Sequence, residues 1–160
     1  MTGAAGAVSA VEIRLRELGL SLPAVASPVA VYVPAVITGN LVHTSGQLPF
    51  VDGVLPATGK VGVEVGAEDA ASYAAVCAVN ALAAVKAQIG DLDRVVRVVK
   101  VVGYVASDPS FTGQPAVING ASELLGNVFG SAGSHARSAV GVAVLPLDAP
   151  VEIEMIVEFA

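Results

Sequence analysis

The run HARSAVGVAVLP, residues 135–146, sets Arg137 at the mouth of an otherwise small and β-branched stretch. A guanidinium stays charged at any accessible pH. Arg137 therefore reaches water at a strand end, pairs with a carboxylate at a subunit contact, or clamps a ligand that offers two acceptors. The last of these is chemistry: planar two-bond recognition of a small carboxylate suits a guanidinium and not an ammonium. Ala139, Gly141 and Ala143 share the parity of Arg137, so that face carries little side-chain bulk and would leave room for a small ligand.

A second candidate lies in VEIEMIVE, residues 151–158, where Glu152, Glu154 and Glu158 fall on one face of a strand and Val151, Ile153, Met155 and Val157 on the other. Either the acidic face is solvated, or one carboxylate sits in a half-buried pocket, where lost hydration raises its pKa and lets it hold or activate water. If residues 137–144 and 151–158 pair as a simple antiparallel hairpin, Arg137 and Glu152 lie about 15 to 20 Å apart by strand rise. Their convergence would then need side chains from different chains.

The stretch GNLVHTSGQLP supplies Ser45 and Gly46 at a strand end, Ser45 as a turn former or as a hydrogen-bond donor to a ligand. Tyr32 within VAVYVPAV is a core or interface tyrosine or a cleft residue, and Asn119 either caps local backbone or points into a site. GxSxG is absent, so Ser45 sits on no nucleophile elbow. GVLPATGK misses the P-loop spacing, and Cys77, mid-helix among alanines and valines, reads as a buried inert thiol.

Several elements must position these residues. Ser9 with Glu12 forms a capping box, and Val11, Leu15 and Leu18 recur at helical spacing until Gly19. SLPAVASP follows as a linker arm, so residues 1–28 form a helix-plus-arm and 29–160 the main domain. Strands are predicted at 29–37 and 41–44, joined through Thr38-Gly39-Asn40, then a loop at 48–66 with a short strand at 61–65. Residues 68–89, alanine-rich and free of Gly and Pro, predict a long helix ending at Gly90. A nearly continuous β-branched strand at 95–105, a second helix at 114–129, and strands at 137–144 and 151–158 complete an α+β sheet with two long helices on one face. The strands at 95–105 and 137–144 are apolar at both parities, so a second copy of the protein is the expected cover of the other face.

Composition agrees with association. Hydrophobic residues make up 54% and charged residues 14%, against a typical charged share of about 25%, which leaves little polar surface to coat a monomer. The net charge of −6 repels phosphate backbones, so nucleic acid is a disfavoured partner. One cysteine and two separated histidines, His43 and His135, suggest neither a disulfide nor a metal site. The uncharged run 18–51 is broken by Pro and Gly into pieces too short to span a bilayer, and MTGAAGAVSAVEIRLREL lacks a signal-peptide pattern. A cytoplasmic protein that needs no cofactor is expected.

Four blocks, VYVPAVITGNLVHTSGQLP, IGDLDRVVRVVKVVGYV, VINGASELL and HARSAVGVAVLPLDAPVEIEMIVE, resemble the RidA family, also called YjgF or L-PSP endoribonuclease. The resemblance spans most of residues 30–158. It implies a chorismate-mutase-like subunit in a homotrimer with a central β-barrel and ligand clefts between subunits. It also implies that Arg137 clamps the substrate carboxylate, Glu152 orients water, Tyr32 lines the cleft, and Ser45 with Gly46 donates at a strand end. The implied reaction is hydrolysis of 2-enamino or 2-imino acids, such as 2-aminoacrylate, to 2-keto acids and ammonia, without metal or cofactor. A non-catalytic carboxylate-binding trimer and an endoribonuclease are the alternatives. The position two beyond the arginine, often cysteine in the archetypal deaminases, is Ala139 here, where only the backbone N–H could serve. A longer 50–66 loop and an additional N-terminal helix match a longer-chain subgroup.

Overall fold

The structure is a computed structural model and describes residues 8–25 and 31–160. Its elements are α1 (Ala10–Glu17), β1 (Ala35–Thr38), β2 (Leu41–Thr44), α2 (Ala67–Ile89), β3 (Val95–Ala106), α3 (Gln114–Phe129), β4 (Ala136–Val142) and β5 (Val151–Phe159). The strands form one mixed sheet in the order β1-β2-β5-β3-β4, antiparallel except for the parallel β3–β4 pair.

Alternation along the strands decides which side is core. Val98, Val101 and Val105 of β3 and Val151, Ile153, Met155 and Val157 of β5 are buried, and α2 and α3 pack over that side. The opposite parity, with Lys100, Val102, Tyr104, Glu152, Glu154 and Ile156, is only partly covered in the single chain. Helix α2 forms because its alanines lose little side-chain entropy, and Glu68 and Asp69 complement the positive end of the helix dipole. It is long and apolar enough to cross a membrane, yet Ala74, Cys77, Ala78, Ala81, Leu82 and Val85 are buried in the core.

The last two strands do not pair as a simple antiparallel hairpin, the arrangement under which Arg137 and Glu152 would lie at opposite ends. Strand β5 enters the sheet between β2 and β3, where every second side chain is buried, and β4 takes the outer edge beside β3. The link between them, residues 143–150, is too long for a tight hairpin turn. It carries Pro146 and Pro150, which have no N–H to give a ladder, and is drawn away where the Asp148 carbonyl accepts from the Gly59 N–H at 2.9 Å.

Three other expectations are corrected. The strand predicted at 29–37 begins only at Ala35, because Pro34 has no N–H to give a ladder; Tyr32 lies in the irregular approach, and residues 26–30 fall outside the described ones. The connection to β2 is the two-residue turn Gly39-Asn40, with Thr38 inside the strand pair. Val61 and Val65 do not form a strand: residues 62–64 turn back, and Val61 makes isolated bridges to Val65 and Ser107.

The N-terminal helix is tied to the domain at several points. Ser9 Oγ accepts from the Glu12 N–H at 3.4 Å, one half of the capping box. The Glu12 side chain pairs instead with Lys86 of α2. Asp93 accepts from Ser9 Oγ and from the N–H groups of Ala10 and Val11 at 2.7 to 3.0 Å. Burial alone would raise the Asp93 pKa, but these hydrogen bonds, with Arg14 nearby, hold it below its ordinary value. Val11 and Leu15 are buried, whereas Leu18 is exposed.

A candidate active site split between two sheet faces

Arg137 stands beside Val101 and Ala139 beside Gly103, which puts both on the helix-covered side of the sheet. The guanidinium reaches α3, where Nη1 donates to Asn119 Oδ1 at 2.7 Å and to Ser122 Oγ at 3.2 Å. Asn119 thus holds the arginine. Both partners are neutral, and the two ion pairs among the described residues, Lys60–Asp148 and Lys86–Glu12, leave Arg137 without a carboxylate. A half-buried cation with only neutral partners has the charge and the donors to take an anion. It borders an open cleft of about 400 Å³ shared with Asn119, Ser122, Gly126, Gly133, Ser134 and His135.

The room expected further along β4 is absent. A Cβ on Gly141 would lie 2.8 Å from Gln114 Nε2 and 2.9 Å from Ser107 Oγ, so that end of the face is occupied by side chains. The cleft lies instead beside the start of β4. Ala139 is partly buried against the core.

Glu152 occupies the other face. It stands opposite Tyr104, and burial, then the like charge of Glu154, raises its pKa above the ordinary carboxylate value. Its side chain lies over Gly46: a Cβ there would sit 1.8 Å from Glu152 Oε1. Gly46 is held in place from both sides. The Met155 N–H goes to Thr44 Oγ1 at 3.0 Å and Gln47 exchanges backbone bonds with Ile153 at 2.8 and 3.1 Å, so Ser45 and Gly46 bow out of the ladder between them. The Gly46 N–H has no hydrogen-bond partner among the described residues.

Ser45 serves the turn. Its hydroxyl donates to the Val33 carbonyl at 2.6 Å and its N–H to the Pro34 carbonyl at 2.8 Å, which ties the segment after Tyr32 to the end of β2. Both its donors are engaged within the chain, so Gly46 is the free donor of the pair. Tyr32 is 53% exposed and offers its ring outward. Tyr104 shares the open face with the carboxylates; burial, then Glu154, then Glu152 raise its pKa and keep its hydroxyl protonated. Beneath this group, Cys77 Sγ rests 3.7 Å from the Val151 carbonyl, and burial, then the charge of Glu152, pushes its thiol well up, so it is an inert thiol.

The named residues therefore fall into two groups within one chain. Arg137, Asn119 and Ala139 gather under α3, and Ser45, Gly46 and Glu152 at the β2–β5 end of the open face. By register Arg137 is level with Met155, three residues from Glu152 along β5 and two strands away. That is about 10 Å in each direction, with the side chains on opposite sides. Ser122 and His135 were missed. Spacing carried the signal: Ser122 is one helical turn from Asn119, and His135 shares the extended-chain parity of Arg137.

Relatives share the architecture. A family model described as "YjgF/chorismate mutase-like, putative endoribonuclease" matches residues 12–159. A Trypanosoma cruzi protein named TCP17 is 46% identical over 156 residues, 97% of this chain and 96% of its own. The crystal structure of an Agrobacterium tumefaciens protein of unknown function superposes with a TM-score of 0.89 at 51% identity, over 94% of both chains. The E. coli YjgF gene product superposes at 0.60 with 30% identity, over 85% of this chain and 98% of that one. The chain belongs to the RidA/YjgF family.

Proposed function

We propose that this chain hydrolyses small, reactive 2-enamino and 2-imino acids to 2-keto acids and ammonia, in clefts between the subunits of a homotrimer. The observation that carries the reading is the charge of Arg137, which meets only neutral partners beside an open cleft. Family membership supports the assembly. So do the unpaired edge of β4 and exposed apolar side chains such as Val36, Val96 and Val140, which a neighbouring copy would cover. In that trimer the open sheet faces line a central barrel, and the Glu152 group of one copy meets the Arg137 group of the next.

The chemistry needs no redox partner. 2-Aminoacrylate gains a proton on its methylene carbon and loses one from nitrogen to become 2-iminopropionate. Water then adds to the imine carbon, giving a carbinolamine that expels ammonia and leaves pyruvate. Arg137 holds the carboxylate by two parallel hydrogen bonds and keeps the imine carbon in one place. Glu152 orients the water and takes its proton, a role suited to a carboxylate whose pKa burial and the charge of Glu154 raise above its ordinary value. Gly46 offers a backbone N–H, and Tyr32 covers the ligand.

Ammonia release from freshly generated 2-iminopropionate tests the reading. Wild-type protein is expected to accelerate it, and Arg137→Ala and Glu152→Ala to lose the acceleration. Equal rates for all three would end the enzyme reading. Binding of the keto acid that survives in Glu152→Ala but not in Arg137→Ala, without turnover in any protein, would indicate a carboxylate-binding trimer instead.

A further inference from the structure

Ser122 and His135 line the cleft beside Arg137 and have no part in the reaction just described. His135 Nδ1 lies 2.6 Å from the Gly133 carbonyl oxygen, which can only accept, so Nδ1 carries a proton. In the neutral ring Nε2 then holds the lone pair, and Ser122 Oγ, 2.9 Å away, donates to it. With its proton committed to the imidazole, Ser122 turns its oxygen lone pairs toward Arg137 and accepts from Nη1. The donors run in one direction, from Arg137 through Ser122 to His135 and on to the Gly133 carbonyl, and each meets an acceptor.

This chain fixes one edge of the guanidinium and frees another. Nη1 is held by Asn119 and Ser122, while Nε and Nη2 have no partner among the described residues. Nε–H and Nη2–H are the parallel pair that meets a carboxylate side-on. The support behind the chain is rigid. A Cβ on Gly133 would lie 2.3 Å from the Leu125 carbonyl oxygen, so the turn that holds His135 rests on the last turns of α3, the helix that also carries Asn119 and Ser122. All the groups that orient Arg137 thus belong to one packed unit.

We infer that Ser122 and His135 are positioning residues, which lock Arg137 so that its Nε–Nη2 edge receives the carboxylate of the ligand side-on. The inference rests on the carboxylate-clamp reading of Arg137 and adds the device that makes the clamp two-pronged. His135 acts through Ser122, in its Nδ1-protonated tautomer, and the other chemical requirement at position 122 is a hydroxyl.

Pyruvate, titrated against the intact protein, is the probe, with thermal unfolding as the fold control. Ser122→Ala and His135→Ala are expected to weaken pyruvate about five- to tenfold, the worth of one oriented hydrogen bond. Ser122→Thr, which keeps the hydroxyl, and His135→Gln, which keeps an acceptor for it, stay within about twofold of wild type. A merely structural role would move both members of each pair with the unfolding temperature. Wild-type affinity in Ser122→Ala and His135→Ala, with pyruvate weakened roughly 30-fold in Arg137→Lys, overturns the positioning role and leaves the clamp standing. Wild-type affinity in Arg137→Lys overturns both. Nitrogen-15 spectra of the ligand-free protein give a reading independent of any ligand: a lone pair on Nε2 of His135 is expected, and an Nε2–H tautomer with bare Nδ1 overturns the chain of hydrogen bonds.

Discussion

Arg137 and Glu152 face opposite sides of one sheet: the guanidinium hydrogen-bonds to α3 on the helix-covered side, and the carboxylate lies over Gly46 on the open side. Two strands and three residues separate them. A single subunit cannot bring them onto one small substrate.

The first concerns pH. Burial, and then Glu154, raises Glu152 above the ordinary carboxylate pKa. If the ionised form takes the proton of water, activity falls as pH drops through that raised value, so the acid limb of the rate profile lies above the usual carboxylate range. Glu154→Gln removes the like charge and moves the limb to lower pH. The same shift sets a stability trend: protonation favours the folded state, so the contribution of Glu152 to stability declines as pH rises from its unfolded to its folded pKa. A pH–rate profile of both proteins checks the first part, and denaturant titrations at several pH values the second.

Gly46→Ala separates stability from activity. The added methyl meets the far end of the Glu152 side chain, which can swing away. Stability is expected to change by less than about 1 kcal/mol. Turnover is expected to fall about 100-fold, because the carboxylate is displaced by about an ångström or more.

Arg137→Lys keeps the charge and removes the fork. Carboxylate affinity is expected to drop by about 2 kcal/mol, roughly 30-fold, as the second parallel bond is lost. Keto-acid titration measures it.

The N-terminal helix should loosen in acid. The depressed Asp93 pKa means that its contribution is present above the unfolded pKa and is lost as pH falls through the folded value, below the usual carboxylate range. Asp93→Asn at neutral pH is expected to cost about 1 kcal/mol, the worth of a helix cap. Hydrogen exchange at Ala10–Glu17 reports both.

Local signals carried much of this structure. Composition without Gly or Pro marked α2 to within a residue, and period-two alternation marked the buried parity of β5. Partner choice was not local. The same alternation serves a β4–β5 hairpin and an insertion of β5 between β2 and β3, and long-range contacts such as the packing of α3 on β3 and β4 and the bond from Gly59 to Asp148 distinguish them. At the site, Arg137 and Glu152 stood out by charge in apolar strands, whereas Ser122 and His135 carried only the weaker signal of their spacing from Asn119 and Arg137, with which they line one cleft. The apolar residues at both parities of β3 were legible in the sequence, and the single chain leaves the parity away from the helices only partly covered.

The central claim is that one chain supplies the clamp and its neighbour the carboxylate, and a mixed assembly tests it most directly. Arg137→Ala and Glu152→Ala proteins, each inactive toward 2-iminopropionate alone, are unfolded together in equal amounts and refolded. If each site joins two copies, random mixing leaves about a quarter of the sites with both residues intact, and that share of wild-type activity is predicted to return. A refolded mixture no more active than its parents would contradict the account.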